Sequence, residues 1–153
     1  MSSLELKLPP LVLVIVIGAL MWLTNWLWPT GAWHFSDLRQ AAVGFFVAGV
    51  LIAGAGVWQF RRAATTVNPM DPNLSSSLVQ HGIYRFSRNP MYLGFLLVLV
   101  GWALWLDSLP ALIWLPVFLM YMNRFQIVPE ERMLLAKFGD SYGDYCRRVR
   151  RWF

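Results

Sequence analysis

His81-Gly82-Ile83-Tyr84-Arg85-Phe86-Ser87-Arg88-Asn89-Pro90-Met91-Tyr92-Leu93-Gly94 sets two arginines, a histidine, an amide and two tyrosines against the start of a long apolar run. Anchoring a helix end at a membrane surface takes one or two snorkelling cations, not this density of hydrogen-bonding groups. About forty residues further on comes Pro129-Glu130-Glu131, again just beyond an apolar run. Two polar clusters at one membrane surface imply a site built where water meets lipid.

The composition agrees. Of 153 residues, 58% are hydrophobic and 14% charged, and nine are Trp, whereas soluble domains are about one quarter charged. The apolar residues come in long blocks rather than at helical spacing. The expected fold is an all-α integral membrane protein, a single domain over residues 1–153. The single cysteine, Cys146, rules out an internal disulfide and a thiolate-only metal site. It stands beside Arg147, a cation able to lower a thiol pKa, but a bystander role is the simpler reading. His34 and His81 are far apart and no cluster has metal-ligand spacing, so neither a metal nor a nucleic acid is expected as partner. The first apolar run follows Glu5 and Lys7 and lacks a small-residue cleavage site, so it reads as a retained span.

Four apolar segments are expected to cross the bilayer: 11–28, 38–60, 91–106 and 109–122. The first is uncharged, about 27 Å long as a helix, with Trp22, Trp26 and Trp28 gathered at one end as an interfacial belt. Pro29-Thr30-Gly31 breaks it. The second carries Gly44, Ala48, Gly49, Ala53, Gly54 and Gly56, small residues that let helix backbones approach closely in lipid. Asp107-Ser108-Leu109-Pro110 is so short that the third and fourth segments form an antiparallel hairpin, and Pro116 is expected to kink the fourth.

Lys and Arg set the orientation. Residues 61–89 carry Arg61, Arg62, Arg85 and Arg88 against Asp71, and the tail 123–153 carries seven cations against four acids. The other loops hold only Asp37 and Asp107, with Arg39 at a helix start. Both polar clusters and both termini therefore fall on the cytoplasmic side. In the tail a helix from Glu130 to Phe138 should end at Gly139, and Asp140 or Ser141 should cap a second. Leu134, Phe138, Tyr142, Tyr145, Val149 and Trp152 recur every three or four positions beside Arg147, Arg148, Arg150 and Arg151, the pattern of helices lying in the interface. Asn68-Pro69-Met70-Asp71-Pro72-Asn73 has strong turn chemistry.

Asn89-Pro90 suits a helix start, with Asn as cap and Pro in the first turn. Arg88 is harder to explain there, because the macrodipole disfavours a cation at a helix N-terminus. It needs an anion: Glu130, or a ligand carboxylate. Glu130 and Glu131 are adjacent, about 100° apart on a helix, so one faces inward and the other water. His81, beside a glycine in a polar loop, reads more simply as solvated than as a general base.

Five ordered elements then resemble one family. They are Leu78-Val79, Gly82-Ile83-Tyr84, Arg88-Asn89-Pro90-Met91-Tyr92, Glu130-Glu131-Arg132-Met133-Leu134 and Phe138-Gly139-Asp140-Ser141-Tyr142-Gly143-Asp144-Tyr145. Together they resemble the integral membrane methyltransferases typified by isoprenylcysteine carboxyl methyltransferase and the phospholipid N-methyltransferases. The resemblance covers about residues 76–149. It implies S-adenosylmethionine as methyl donor, held under the C-terminal tail, and a lipophilic or lipidated acceptor drawn from the membrane.

Carried over residue by residue, the donor-contacting positions are Ser76, Ser77, Leu78, Val79, His81, Gly82, Tyr84, Asn89, Pro90, Met91, Tyr92 and Glu130. Backbone groups of 76–79 suit the edge of an adenine, Glu130 suits an amine or ribose hydroxyls, and the two tyrosines offer π faces to a sulfonium. Arg88 and Asn89 take the catalytic positions, with Asn89 where the family commonly has histidine. Gln126 aligns with the family's acceptor-carboxylate arginine, and Arg124 lies two positions earlier, about 200° around a helix. The acceptor group is left open among carboxylate, amine and thiol. A small transporter is disfavoured, since the first, third and fourth spans carry no midplane charge. A scaffold without catalysis is the remaining rival.

Overall fold

The computed structural model describes residues 5–29, 36–62 and 78–153, and these are helical with no strand among them. Ser76, Ser77 and the turn-rich stretch Asn68 to Asn73 lie outside the described residues. Helix α1 spans Pro10–Leu27 and α2 spans Ser36–Arg62. A 3-10 turn, Gly82–Arg85, leads into α3, Pro90–Leu106. A second 3-10 turn, Pro110–Ile113, opens α4, Trp114–Tyr121. A π-helical turn, Met122–Ile127, joins α4 to α5, Val128–Phe138, and α6 follows as Asp140–Arg148.

Among the described residues, three helices are long and apolar enough to cross a membrane: Pro10–Leu27, Leu38–Arg62 and the run Pro110–Phe138. Pro90–Leu106 is apolar but only 17 residues long. The sequence placed the end of the last span at residue 122 and a separate helix after it. Instead the helix passes through Pro116 and on to Phe138. The π turn is the physical reason. Its wider ring, with the Val128 N–H bonded to the Asn123 carbonyl, absorbs one extra residue where an α-helix would have stopped. Pro129 then sits in the first turn of α5, where a missing N–H is tolerated.

Helix α3 is the centre of the bundle. On one side α2 lies against it with backbones touching. A Cβ on Gly94 would come within 2.5 Å of the Gly49 carbonyl oxygen, and one on Gly101 within 2.8 Å of that of Ala42. Of the small residues singled out in α2, Gly49, Ala53 and Gly56 form this seam, while Gly44 and Gly54 meet nothing within 4 Å. The spacing could not say which small residues face α3. On its other side, Leu99 and Ala103 of α3 pack with Leu13, Ile17 and Met21 of α1 and Phe118 of α4 in a core from which solvent and lipid are excluded.

In lipid such packing gains little from the hydrophobic effect, and interhelical hydrogen bonds average about 0.6 kcal/mol. The Trp102 indole donates to the Gly18 carbonyl at 3.0 Å, and the Trp114 indole to Thr24 Oγ1 at 2.9 Å. The Trp114–Thr24 bond joins the C-terminal end of α1 to the start of α4, next to the α3–α4 link. At the opposite end, the segment before α1, the C-terminus of α2, the start of α3 and the α4–α5 junction converge. Both sequence-identified polar clusters lie there.

Candidate functional site

The site is built on the first turn of α3 and the π turn. Tyr92, buried in α3, donates its phenol to Glu130 Oε1 at 2.5 Å. Gln126, in the π turn and equally buried, donates its amide to the same oxygen at 2.6 Å and lies 3.4 Å from the Tyr92 hydroxyl. The residue aligned with an arginine in the family thus faces the cluster as a neutral amide. Arg124 does not. Its side chain is 58% exposed and pairs with Glu5 at 3.3 Å, away from Glu130.

Tyr84 completes the cluster from the 3-10 turn. Its ring stacks edge-on against Phe60 of α2, with centroids 5.3 Å apart, and its main-chain carbonyl accepts from the Tyr145 hydroxyl at 2.8 Å. Its own hydroxyl is buried with no hydrogen-bond partner among the described residues. Burial, then the nearby Tyr145 and Glu130, hold this phenol well above its ordinary range, so it stays neutral. Gly82, which opens the turn, has φ +60, a conformation glycine adopts without strain, and Gln59 fills the space a side chain would need.

The adjacent acid does something else. Glu131 pairs with Arg88 at 3.1 Å and accepts a two-pronged bond from Arg151 at 3.0 and 2.6 Å. The anion expected for Arg88 is therefore Glu131 rather than Glu130, and Glu131 faces this pair of arginines instead of open water. The hydrogen bonds to Glu131, ahead of the opposing cost of burial, push the Arg151 guanidinium above its usual range. Arg88 also contacts the Cys146 thiol, while its Nε is buried without a partner among the described residues.

Asn89 occupies the cap position of α3 but makes no side-chain capping bond. Its amide donates instead to the Arg151 carbonyl at 2.9 Å, the Arg88 N–H donates to the Arg150 carbonyl at 3.0 Å, and Ser87 Oγ lies 3.4 Å from the Arg151 carbonyl. Consecutive residues of the first motif thus pin the last turn of the tail over the cluster. The Trp152 indole bonds Asn123 Oδ1 at 3.2 Å and closes the strap onto the π turn. Gly139, not Asp140 or Ser141, holds the cap position of α6, with φ +51 and no side-chain bond.

Of the remaining sequence-identified positions, Val79 and Pro90 are buried, Leu78 and Met91 partly so, and His81 is exposed. Ser87, Glu131, Arg151 and Glu5 were not singled out as site residues. Only Glu131 had a visible signal, its place beside Glu130.

An all-helical membrane protein with a buried tyrosine–amide–carboxylate cluster at one end, roofed by a basic tail, defines the class. A family model described as phospholipid methyltransferase matches residues 38–141. The chain belongs to that family, and methyl transfer is the class of reaction it performs. It is 28% identical over 115 residues to the protein-S-isoprenylcysteine O-methyltransferase of Schizosaccharomyces pombe, a stretch covering 75% of this chain and 49% of that one, so the chain spans about half the length of that relative. It is also 47% identical over 62 residues to an uncharacterized protein of Haemophilus influenzae, covering 40% of this chain and 98% of that one.

Proposed function

We propose that the protein transfers a methyl group from S-adenosylmethionine to a lipophilic acceptor in the membrane, at the Tyr84–Tyr92–Gln126–Glu130 cluster. The observation that carries this reading is the buried Tyr84 hydroxyl, without a partner among the described residues, near a carboxylate already held by two neutral donors. A buried hydroxyl with no bond is costly by about 1–3 kcal/mol, and a ligand acceptor removes the penalty. The residues present fit the donor. Glu130 retains lone pairs for an ammonium or ribose hydroxyls, Tyr84 and Tyr92 offer π faces, and backbone groups of Leu78 and Val79 suit an adenine edge.

S-adenosylmethionine supplies an electrophilic methyl group on a sulfonium, open to in-line displacement. The chain's own residues position and exclude. Tyr92 and Gln126 fix the Glu130 carboxylate, and the strap pinned by Arg88, Asn89 and Glu131 keeps water from the reacting atoms. Arg88 and Asn89 serve this reaction by holding the strap in place, and Gln126 borders the acceptor.

The same reading makes the chain a single domain with four spans, Pro90–Leu106 being the additional one. Both termini and the site lie at the cytoplasmic face, and α6 lies in the interface with Arg147 and Arg148 toward lipid headgroups. Support comes from the gathering of the segment before α1, the end of α2 and the tail at one end, and from the exposure of those two arginines.

The deciding experiment is incubation of detergent-purified protein with labelled S-adenosylmethionine and a membrane lipid extract, followed by identification of the product by mass. A labelled lipid product is expected. Absence of both product and saturable donor binding would leave a scaffold. Gln126, a neutral amide where an arginine would meet a carboxylate, favours an amine-bearing lipid as a second reading of the acceptor. An amine reacts only when neutral, so its rate climbs with pH through the amine pKa, whereas a carboxylate acceptor gives a flat profile near neutrality.

A further inference from the structure

The segment ahead of α1 lies outside the residues that match the family, 38–141, yet it reaches the π turn that carries Gln126. Proline at 129 has no N–H, so the Phe125 carbonyl, four residues earlier, has no α-helical donor. The donor comes from Leu6, whose N–H bonds that carbonyl at 3.0 Å. Leu6 adopts φ +57 as it does this, a left-handed conformation that is strained for a residue with a β-carbon.

The neighbouring Glu5 is buried, and its Oε1 meets Arg124 at 3.3 Å and Arg132 at 3.2 Å. Arg124 lies within the π turn and Arg132 beyond it in α5. One carboxylate and one main-chain N–H therefore grip the turn at its middle and on its C-terminal side. A left-handed residue and a buried charge are both costly, and here both are spent on contacts with one turn. The turn they hold is the one that aims Gln126 at Glu130 and Tyr92.

We infer that Glu5 and Leu6 form a positioning clamp: residues at the start of the chain fix the register of the π turn and so the placement of Gln126 and Glu130 in the site. The inference that this affects donor binding rests on the cluster being the donor site. The clamp acts through the helix backbone, and neither residue touches the ligand. It also makes the segment before α1 a working part of the site rather than a lead-in to a span.

The test uses the full-length protein in detergent, with Glu5→Gln, Glu5→Asp and, as a control on the exposed face of α6, Arg147→Ala. Two quantities are read: amide hydrogen exchange across residues 123–131, and the dissociation constant for S-adenosylmethionine. Glu5→Gln should speed exchange in that window about tenfold and weaken donor binding about five- to tenfold, with exchange in α2 and α3 unchanged. Glu5→Asp should recover part of both effects, and Arg147→Ala should match the parent. Parent-like exchange in Glu5→Gln overturns the clamp. So does faster exchange with unaltered donor affinity, which would make the contact structural only. If the parent itself binds no donor, the donor-site reading fails, while the exchange measurement still decides whether Glu5 holds the turn.

Discussion

The two faces of α3 are held by opposite means. Against α2 the contact is dry, made by Gly49, Ala53, Gly94 and Gly101 with backbones in van der Waals touch. At its N-terminal turn the contacts to the tail and α5 are polar, made by Tyr92, Asn89, Arg88 and their partners. At Gly49, Gly94 and Gly101 the dry seam leaves no room for a side chain. The polar face is held by hydrogen bonds and ion pairs, which need matched partners rather than closeness alone. The dry seam thus sets the place of α3, and the polar contacts tie the tail to its first turn.

The seam is broken most severely at Gly94. Gly94→Val should abolish accumulation of folded protein, read by size-exclusion chromatography in detergent, because its Cβ alone would lie 2.5 Å from the Gly49 carbonyl oxygen. Gly44→Ala, with nothing within 4 Å, should fold normally.

Next come the cluster residues. Glu130→Ala and Tyr92→Ala should each weaken S-adenosylmethionine binding tenfold or more in calorimetric titration while the protein still inserts and folds. Parent-like affinity in both would put the donor elsewhere. A smaller effect is expected at the polar face. Glu131→Gln removes the charge shared by Arg88 and Arg151, so limited proteolysis should cut the tail faster and donor affinity should fall about three- to fivefold. Least is expected from Arg147→Ala. The Arg147–Asp144 pair lies on the exposed side of α6, and such surface pairs are worth about 0–1 kcal/mol, so thermal stability should stay close to the parent's.

Much of this contrast was legible in the residues. Unbroken apolar blocks mark helices whatever their partners, so α1, α2 and α3 fall within a few positions of their expected bounds. Tyr92 and Glu130, from separate motifs, meet in a hydrogen bond, and Tyr84 lies near enough for Glu130 to help raise its phenol pKa. The π turn was not legible. Its Phe125 carbonyl takes a donor from Leu6, more than a hundred residues away, and no local pattern encodes that contact. Without it the rotation of α5 was unknown, and the choice of Glu130 or Glu131 as partner for Arg88 could not be made. Asn89 was read as a helix cap because the usual capping chemistry is local, whereas its real acceptor is a main-chain carbonyl that any residue at 151 would supply.

The ties that finish the cluster join residues 58, 61, 62 and 64 positions apart, and those of Glu5 span 119 and 127. Contacts so distant along the chain form late. The α2–α3 seam is complete once residue 101 has emerged, but the strap waits for residue 151 to leave the ribosome. A nascent chain that has passed residue 101 can therefore hold the α2–α3 seam before the segment that covers the cluster is available to it.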